Sequence, residues 1–241
     1  MNEHLNKKRK TIDCLYFHFK NVPKKLKIVC DWDEVIQPHE PYALWKVINN
    51  PSEKDFSQFF KGFWKEATIE YSPYGSRLRT DNLFVKEQVG IKNSLDFYQQ
   101  APFLTIAKEL LKLVKEDKVE RLIFLSAYDK RKFSNGDPRK KEIFKETFGR
   151  LKRIKCCLEL IGFDSEKKGI NKADWIKKNA FDFDAVIDDN PNICKSIVEA
   201  NLNIIVCAPH YPAVENQHHE KVLLVKTSTS DLKKENFRTD S

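Results

Sequence analysis

The sequence predicts an α/β fold: a parallel sheet covered by helices on both faces. Three observations carry this. Short apolar runs of strand-like composition alternate along the chain with amphipathic helical patterns, the order expected of strands joined through crossover helices. Three of those runs stop abruptly at polar residues, Asp31, Ser126 and the pair Asp188-Asp189, and in parallel sheets the carboxyl ends of the strands form the ligand-binding rim. Finally, 241 residues at 41% hydrophobic content, with 17 Phe and 4 Trp, supply enough apolar material for a core and too much for a disordered chain.

Taken in order, Leu26-Lys27-Ile28-Val29-Cys30 is the first strand, ending at Asp31. Residues 36–101 are aromatic-rich and broken by Pro38, Pro41, Pro51, Pro73 and Gly75, which reads as short helices, one near 52–66, linked by turns. From Thr105 to Glu116 the apolar positions 106, 107, 110, 111, 113 and 114 fall on one helical face. Val119 to Leu125 is the second strand, Arg139 to Phe148 a basic helix and Ile154 to Ile161 the third strand. A helix starting at Lys172 precedes the strand Ala185-Val186-Ile187, and a helix over 192–200 precedes the last strand at 203–207. The expected organisation is a basic leader (1–25), a core domain (26–35 and 102–212), a mainly helical insertion (36–101) and a polar, partly ordered tail (213–241).

No run approaches the ~18 apolar residues of a membrane helix, and the charged N-terminus has no apolar segment behind it. The six cysteines (Cys14, Cys30, Cys156, Cys157, Cys194, Cys207) form no C-x-x-C pair and lie mostly in apolar runs. Together these features predict buried free thiols and a cytoplasmic, reducing location without membrane partners. The net charge of +8 is uneven. Residues 1–27 carry eight basic and two acidic side chains, and residues 130–155 eleven and three. Such a basic segment is either a solvated face or a surface for polyanions, so nucleic acid enters as a candidate partner through 130–155.

Four places carry chemistry. Asp31-x-Asp33 puts two carboxylates just beyond a strand end, where one can attack or bind metal while the other handles a proton. Ser126 ends the second strand; alone it reads equally as a turn cap. Asp188-Asp189 needs a counter-charge if buried, and a divalent cation is a natural one; alternatively the pair caps the helix that follows. Lys172 opens a helix, against the usual preference for acids there.

In this order the pieces resemble the haloacid dehalogenase (HAD) superfamily. Residues 26–35 are similar to its first motif, a hydrophobic strand and D-x-D-x-[T/V]. Residues 122–126 are similar to the second, a strand ending in Ser or Thr. Lys172 fits the third, with Lys167 and Lys168 as alternatives, and residues 185–190 match the fourth in its D-D form. The resemblance implies a Rossmann-like three-layer sandwich whose insertion at 36–101 is a cap. It implies Asp31 as a nucleophile forming an aspartyl-phosphate and Asp33 as general acid and base. It further implies Ser126 and Lys172 as phosphoryl ligands. Mg²⁺ would be held by Asp31, the backbone carbonyl of Asp33, Asp188 and Asp189. Because family members that cleave phosphate esters usually carry the second Asp, Asp33 favours a phosphatase over a dehalogenase.

The resulting expectation is a Mg²⁺-dependent phosphomonoester hydrolase acting on a small phosphorylated metabolite, with a nucleotide as one candidate because cap aromatics suit stacking on a base. A phosphatase for nucleic-acid ends and a catalytically silent HAD-like binding protein are the alternatives. His39, Trp45, Trp64, Tyr71, Tyr74, Arg77 and Arg79 are the cap residues that could reach the site, each also readable as core aromatic or surface charge.

Overall fold

The structure, a computed structural model, describes residues 10–48, 56–67, 69–72, 75–78, 85–128, 136–151, 155–164 and 172–238. Its centre is a seven-stranded sheet in which every pairing is parallel. The strands are β1 (Thr11–Ile12), β2 (Leu26–Cys30), β5 (Val119–Tyr128), β6 (Cys157–Asp164), β7 (Ala185–Ile187), β8 (Ile205–His210) and β9 (Leu223–Lys226). Their order across the sheet is β1-β9-β8-β7-β2-β5-β6. The remaining strands, β3 (Ile69–Ser72) and β4 (Gly75–Leu78), form a separate antiparallel pair.

Burial alternates residue by residue along the strands. Ile28 and Cys30 of β2, Leu122 and Phe124 of β5, and Ala185 and Ile187 of β7 join one apolar cluster. Val29, Ile123, Leu125 and Val186 join another on the opposite face. All are buried, which is why these strands read as continuous apolar runs rather than as polar–apolar alternation. The first cluster packs under α1 (Leu15–Phe19), α6 (Thr105–Lys115) and α7 (Pro138–Glu146). The second packs under α8 (Lys172–Lys178) and α9 (Pro191–Glu199). The result is the expected three-layer α/β sandwich with a Rossmann-like parallel sheet.

Between β2 and α6 lie α2 (His39–Ile48), α3 (Phe56–Glu66), the β3–β4 pair, α4 (Val85–Asn93) and α5 (Phe97–Gln100). Helices dominate this insertion as expected; the antiparallel strand pair within it was not. Tyr42, Trp45, Phe56, Phe60, Phe63, Trp64 and Phe97 of the insertion are buried in the same cluster as α6.

The two ends of the chain differ from the sequence reading. β1 and α1 of the basic leader and β9 of the polar tail are built into the fold, β9 lying between β1 and β8. The run Val222-Leu223-Leu224-Val225 is fully apolar and buried, but four residues between polar flanks are a weak strand signal. Near the end, Phe237 is 0% exposed against Phe103 and Phe148. All six cysteines are free thiols; Cys30, Cys194 and Cys207 are buried, whereas Cys157 is exposed at the start of the edge strand β6. Among the described residues, no helix is long and apolar enough to cross a membrane.

Candidate active site

The site lies at the carboxyl ends of β2, β5 and β7, the three central strands. Asp31 follows β2 directly, its N–H donating to Ile187 O at 2.9 Å, so the ends of β2 and β7 are locked side by side. The chain then folds back on itself. Trp32 O accepts from Ile36 N and Gln37 N, and Glu34 N donates to Gln37 O. Glu34 sits at φ 60° in this turn, a left-handed conformation that a non-glycine residue adopts only when its surroundings enforce it. They do: its Oε1 accepts from Glu40 N at 2.6 Å and its backbone oxygen accepts from Tyr211 OH. Trp32 is wholly buried and donates through Nε1 to Gln37 Oε1 at 3.0 Å, while Gln37 Nε2 donates to Tyr98 O and Ala101 O. The two aspartates are therefore presented by a turn whose polar groups are tied into the core.

Lys172 Nζ lies 2.7 Å from Asp31 Oδ2 and 2.7 Å from Asp188 Oδ2, with its side chain 5% exposed. This explains a lysine at the start of α8 against the helix dipole: it neutralises the buried Asp188 and the partly buried Asp31 across the sheet. Burial alone would lower the Lys172 pKa, but Asp188 and Asp31 outweigh it and hold the ammonium charged above its ordinary range. Lys167 and Lys168 lie outside the described residues.

The carboxylates of Asp31, Asp188 and Asp189 offer oxygens that all lie within 4.8 Å of one another. Burial pushes the Asp31 carboxyl up, Lys172 pulls it down and the neighbouring Asp188 and Asp33 raise it, giving about 6. Asp189 is raised well above the carboxylate range by burial and by Asp188, Asp31 and Glu34. Its Oδ2 is buried with no hydrogen-bond partner. Three hard oxygen donors around a buried, uncompensated acid fit Mg²⁺. The Asp33 side chain is not in this group. Asp188 and Asp189 do not cap α9 either; Asn190 does so by accepting from Asn192 N at 3.0 Å.

Asp33 is held differently. Its Oδ2 is 2.6 Å from Lys140 Nζ and its Oδ1 accepts from Tyr98 OH at 3.0 Å. Burial would raise its pKa, but Lys140 and then His39 override this, and the carboxyl falls to about 2. In this state Asp33 is a carboxylate, ready to accept a proton from water; to donate one to a leaving group it must first be protonated. Lys140 Nζ also donates to Ser126 Oγ at 2.6 Å. Ser126 does not end its strand as expected, since β5 continues to Tyr128 alongside β6. It is nevertheless buried and faces Lys140.

The structure thus brings Asp31, Asp33, Ser126, Lys172, Asp188 and Asp189 together around two buried ammonium groups. Lys140 and Tyr98 were not among the residues expected. Lys140 was counted in the basic segment 130–155, where charge alone cannot separate a buried lysine from a solvated one. Its signal is Asp137-Pro138, a helix start following the strand that carries Ser126. Arg139 is likewise buried, forked onto Asp137. Part of that segment therefore serves the interior, while 130–135 and 152–154 lie outside the described residues. Of the cap candidates, Trp45 and Trp64 are core aromatics, Trp64 stacking on Tyr211 at 3.8 Å. His39 is close, stacked on Tyr98 at 6.1 Å and facing Glu40. Tyr71 and Arg77 lie on β3 and β4, and Tyr74 and Arg79 outside the described residues.

No family model and no curated protein matches the chain. Among solved structures, the comparison finds one described as "Putative beta-phosphoglucomutase from Bacteroides vulgatus". It shares 14% identity with this chain over 87% of each, at a TM-score of 0.37. A likeness at that level carries no argument about this protein, and the functional reading rests on the site itself.

Proposed function

We propose that this protein is a phosphomonoester hydrolase that uses Mg²⁺ and works through an aspartyl-phosphate on Asp31, on a small phosphorylated metabolite such as a nucleotide. The observation that carries the reading is Lys172 clamped between Asp31 and Asp188 at 2.7 Å from each. That arrangement puts a cation against a nucleophile-grade carboxylate whose neighbours are further acids. A phosphoryl group bearing several negative charges can approach such a carboxylate only when cations offset the repulsion.

In the first step an Asp31 oxygen attacks phosphorus and the bond to the leaving oxygen breaks, that oxygen taking a proton from protonated Asp33. In the second, water attacks phosphorus and gives its proton to Asp33, releasing phosphate and restoring the Asp31 carboxylate. Lys172 orients Asp31, and the Ser126 hydroxyl donates to a phosphoryl oxygen. Asp31, Asp188 and Asp189 would hold Mg²⁺, together with the Asp33 carbonyl that the resemblance adds. When bound there, the ion supplies charge neutralisation for the phosphoryl oxygens.

The test is a panel of phosphate monoesters assayed with Mg²⁺, with excess chelator and with Asp31→Asn. The amide is nearly isosteric but cannot serve as the anionic nucleophile. Turnover should fall by a factor on the order of 10³ or more with the thermal melt retained, and chelator should abolish it. Wild-type turnover by folded Asp31→Asn, or undiminished turnover in chelator, overturns the mechanism.

A further inference from the structure

We propose that Lys140 is a second phosphoryl-binding cation, whose ammonium takes an oxygen of the transferring group alongside Ser126; the inference rests on the phosphatase reading. Lys140 Nζ lies 2.6 Å from Ser126 Oγ, the hydroxyl assigned to a phosphoryl oxygen, and 2.6 Å from Asp33 Oδ2, the carboxylate assigned to the leaving oxygen. A phosphoryl group that touches both therefore lies within reach of the ammonium between them. An ammonium has three N–H donors, and these two contacts use two.

A bare counter-ion role for Asp33 does not account for the arrangement. The Asp33 side chain is 30% exposed and has Tyr98 OH as another donor, so water already contributes to its solvation. Lys140, by contrast, is only 4% exposed. Burying an ammonium is costly, and a buried ion pair adds little stability by itself. The position is also built. Asp137 caps α7 by accepting from Arg139 N at 3.0 Å, and its carboxylate grips the Arg139 guanidinium at 2.6 and 2.9 Å. Arg139 Nη1 in turn donates to Lys92 O and to Ser94 O at the end of α4. The first turn of α7, and with it Lys140, is fixed by a buried network.

With Lys172 on the Asp31 side and Lys140 on the Asp33 side, the site presents two ammonium groups to a phosphoryl dianion. The experiment is calorimetric titration of inorganic phosphate, with Mg²⁺ present, into wild type, K140M, D33N and the double variant D33N/K140M, each checked by thermal melt. Loss of a charge-assisted contact predicts about tenfold to a hundredfold weaker phosphate binding in K140M. The same loss is expected between D33N and D33N/K140M, where no Asp33 charge remains to be countered. If K140M does not fold, the comparison of D33N with D33N/K140M decides alone, because D33N keeps the Lys140 ammonium on Ser126 and the double variant leaves neither side chain as an unpaired charge. Equal phosphate binding by D33N and D33N/K140M reduces Lys140 to a counter-ion and overturns this inference only. A wild-type protein that neither binds phosphate nor hydrolyses any ester overturns the phosphatase reading and this inference with it.

Discussion

At the scale of single residues, the site depends on a few buried charges whose partners can be removed one at a time. Lys172 is the most consequential. Its folded pKa is raised, so its stabilisation is complete below its unfolded value of about 10.5 and is lost only as pH rises beyond that. Lys172→Met leaves Asp31 and Asp188 buried without their cation. The expected cost in metal-free protein at neutral pH is about 3–5 kcal/mol, the range for breaking one side of a buried pair. The Asp31 carboxyl, already raised to about 6 from 3.8 and held down by Lys172, then loses that restraint, so the variant is most stable in acid and loses stability as pH rises. Urea unfolding at pH 5 and pH 8 checks this: a destabilisation no larger at pH 8 than at pH 5 would contradict it. Added Mg²⁺ should recover part of the loss at pH 8 by replacing the missing positive charge among the acids.

At the scale of elements, the turn that carries Asp31 and Asp33 is braced from the insertion. Glu40, in the first turn of α2, joins the left-handed Glu34 to α4: its N–H donates to Glu34 Oε1 and its own carboxylate receives Lys92 Nζ at 2.5 Å. Burial would raise its pKa, but the His39 hydrogen bond and Lys92 bring it to about 2 from 4.5. A depressed acid contributes stability that is present above about 4.5 and disappears as pH falls toward 2. Glu40→Gln should therefore lose on the order of 2–3 kcal/mol at pH 7 and show a flatter stability profile between pH 5 and pH 2.5. Denaturant midpoints of both proteins across that interval measure it; parallel profiles would refute the brace. The elements themselves were largely legible. β2, β5 and β7 announce themselves as apolar runs because both faces are buried, and α6 because its six apolar positions share one face. What was not legible depends on tertiary partners. β5 runs on through Ser126 because β6 is there to pair with it. Lys140 and Tyr98 belong to the candidate site only because α7 and α5 pack beside the Asp31–Asp33 turn. Asp31, Asp33, Asp188 and Asp189 could be found because short spacing after an apolar strand fixes where they emerge; for Lys140 the local signal, Asp137-Pro138, marks only a helix start and not the burial of the lysine.

At the scale of the whole molecule, residues 213–238 are part of the fold. Phe237 lies at 5.4 Å from the Phe103 ring and 4.8 Å from Phe148, and is 0% exposed. Phe237→Ala should cost about 3–5 kcal/mol, the usual loss for truncating a buried aromatic. A melt within about a degree of wild type, where a shift of several degrees is expected for a chain of this size, would show that the C-terminal packing is dispensable. The strand just before it has another consequence. Thr11 of β1 pairs with Leu224 of β9, and β9 alone covers the outer side of β8. During synthesis on the ribosome, β1 is made before every other strand of its sheet and has no neighbour until β9 has followed it. Meanwhile β8 presents a bare edge of unpaired N–H and C=O groups. Completion of the sheet thus waits on β9, and so large a sequence separation between partners slows closure. A nascent chain that has not yet been extended through β9 is an aggregation-prone intermediate and a client for chaperones.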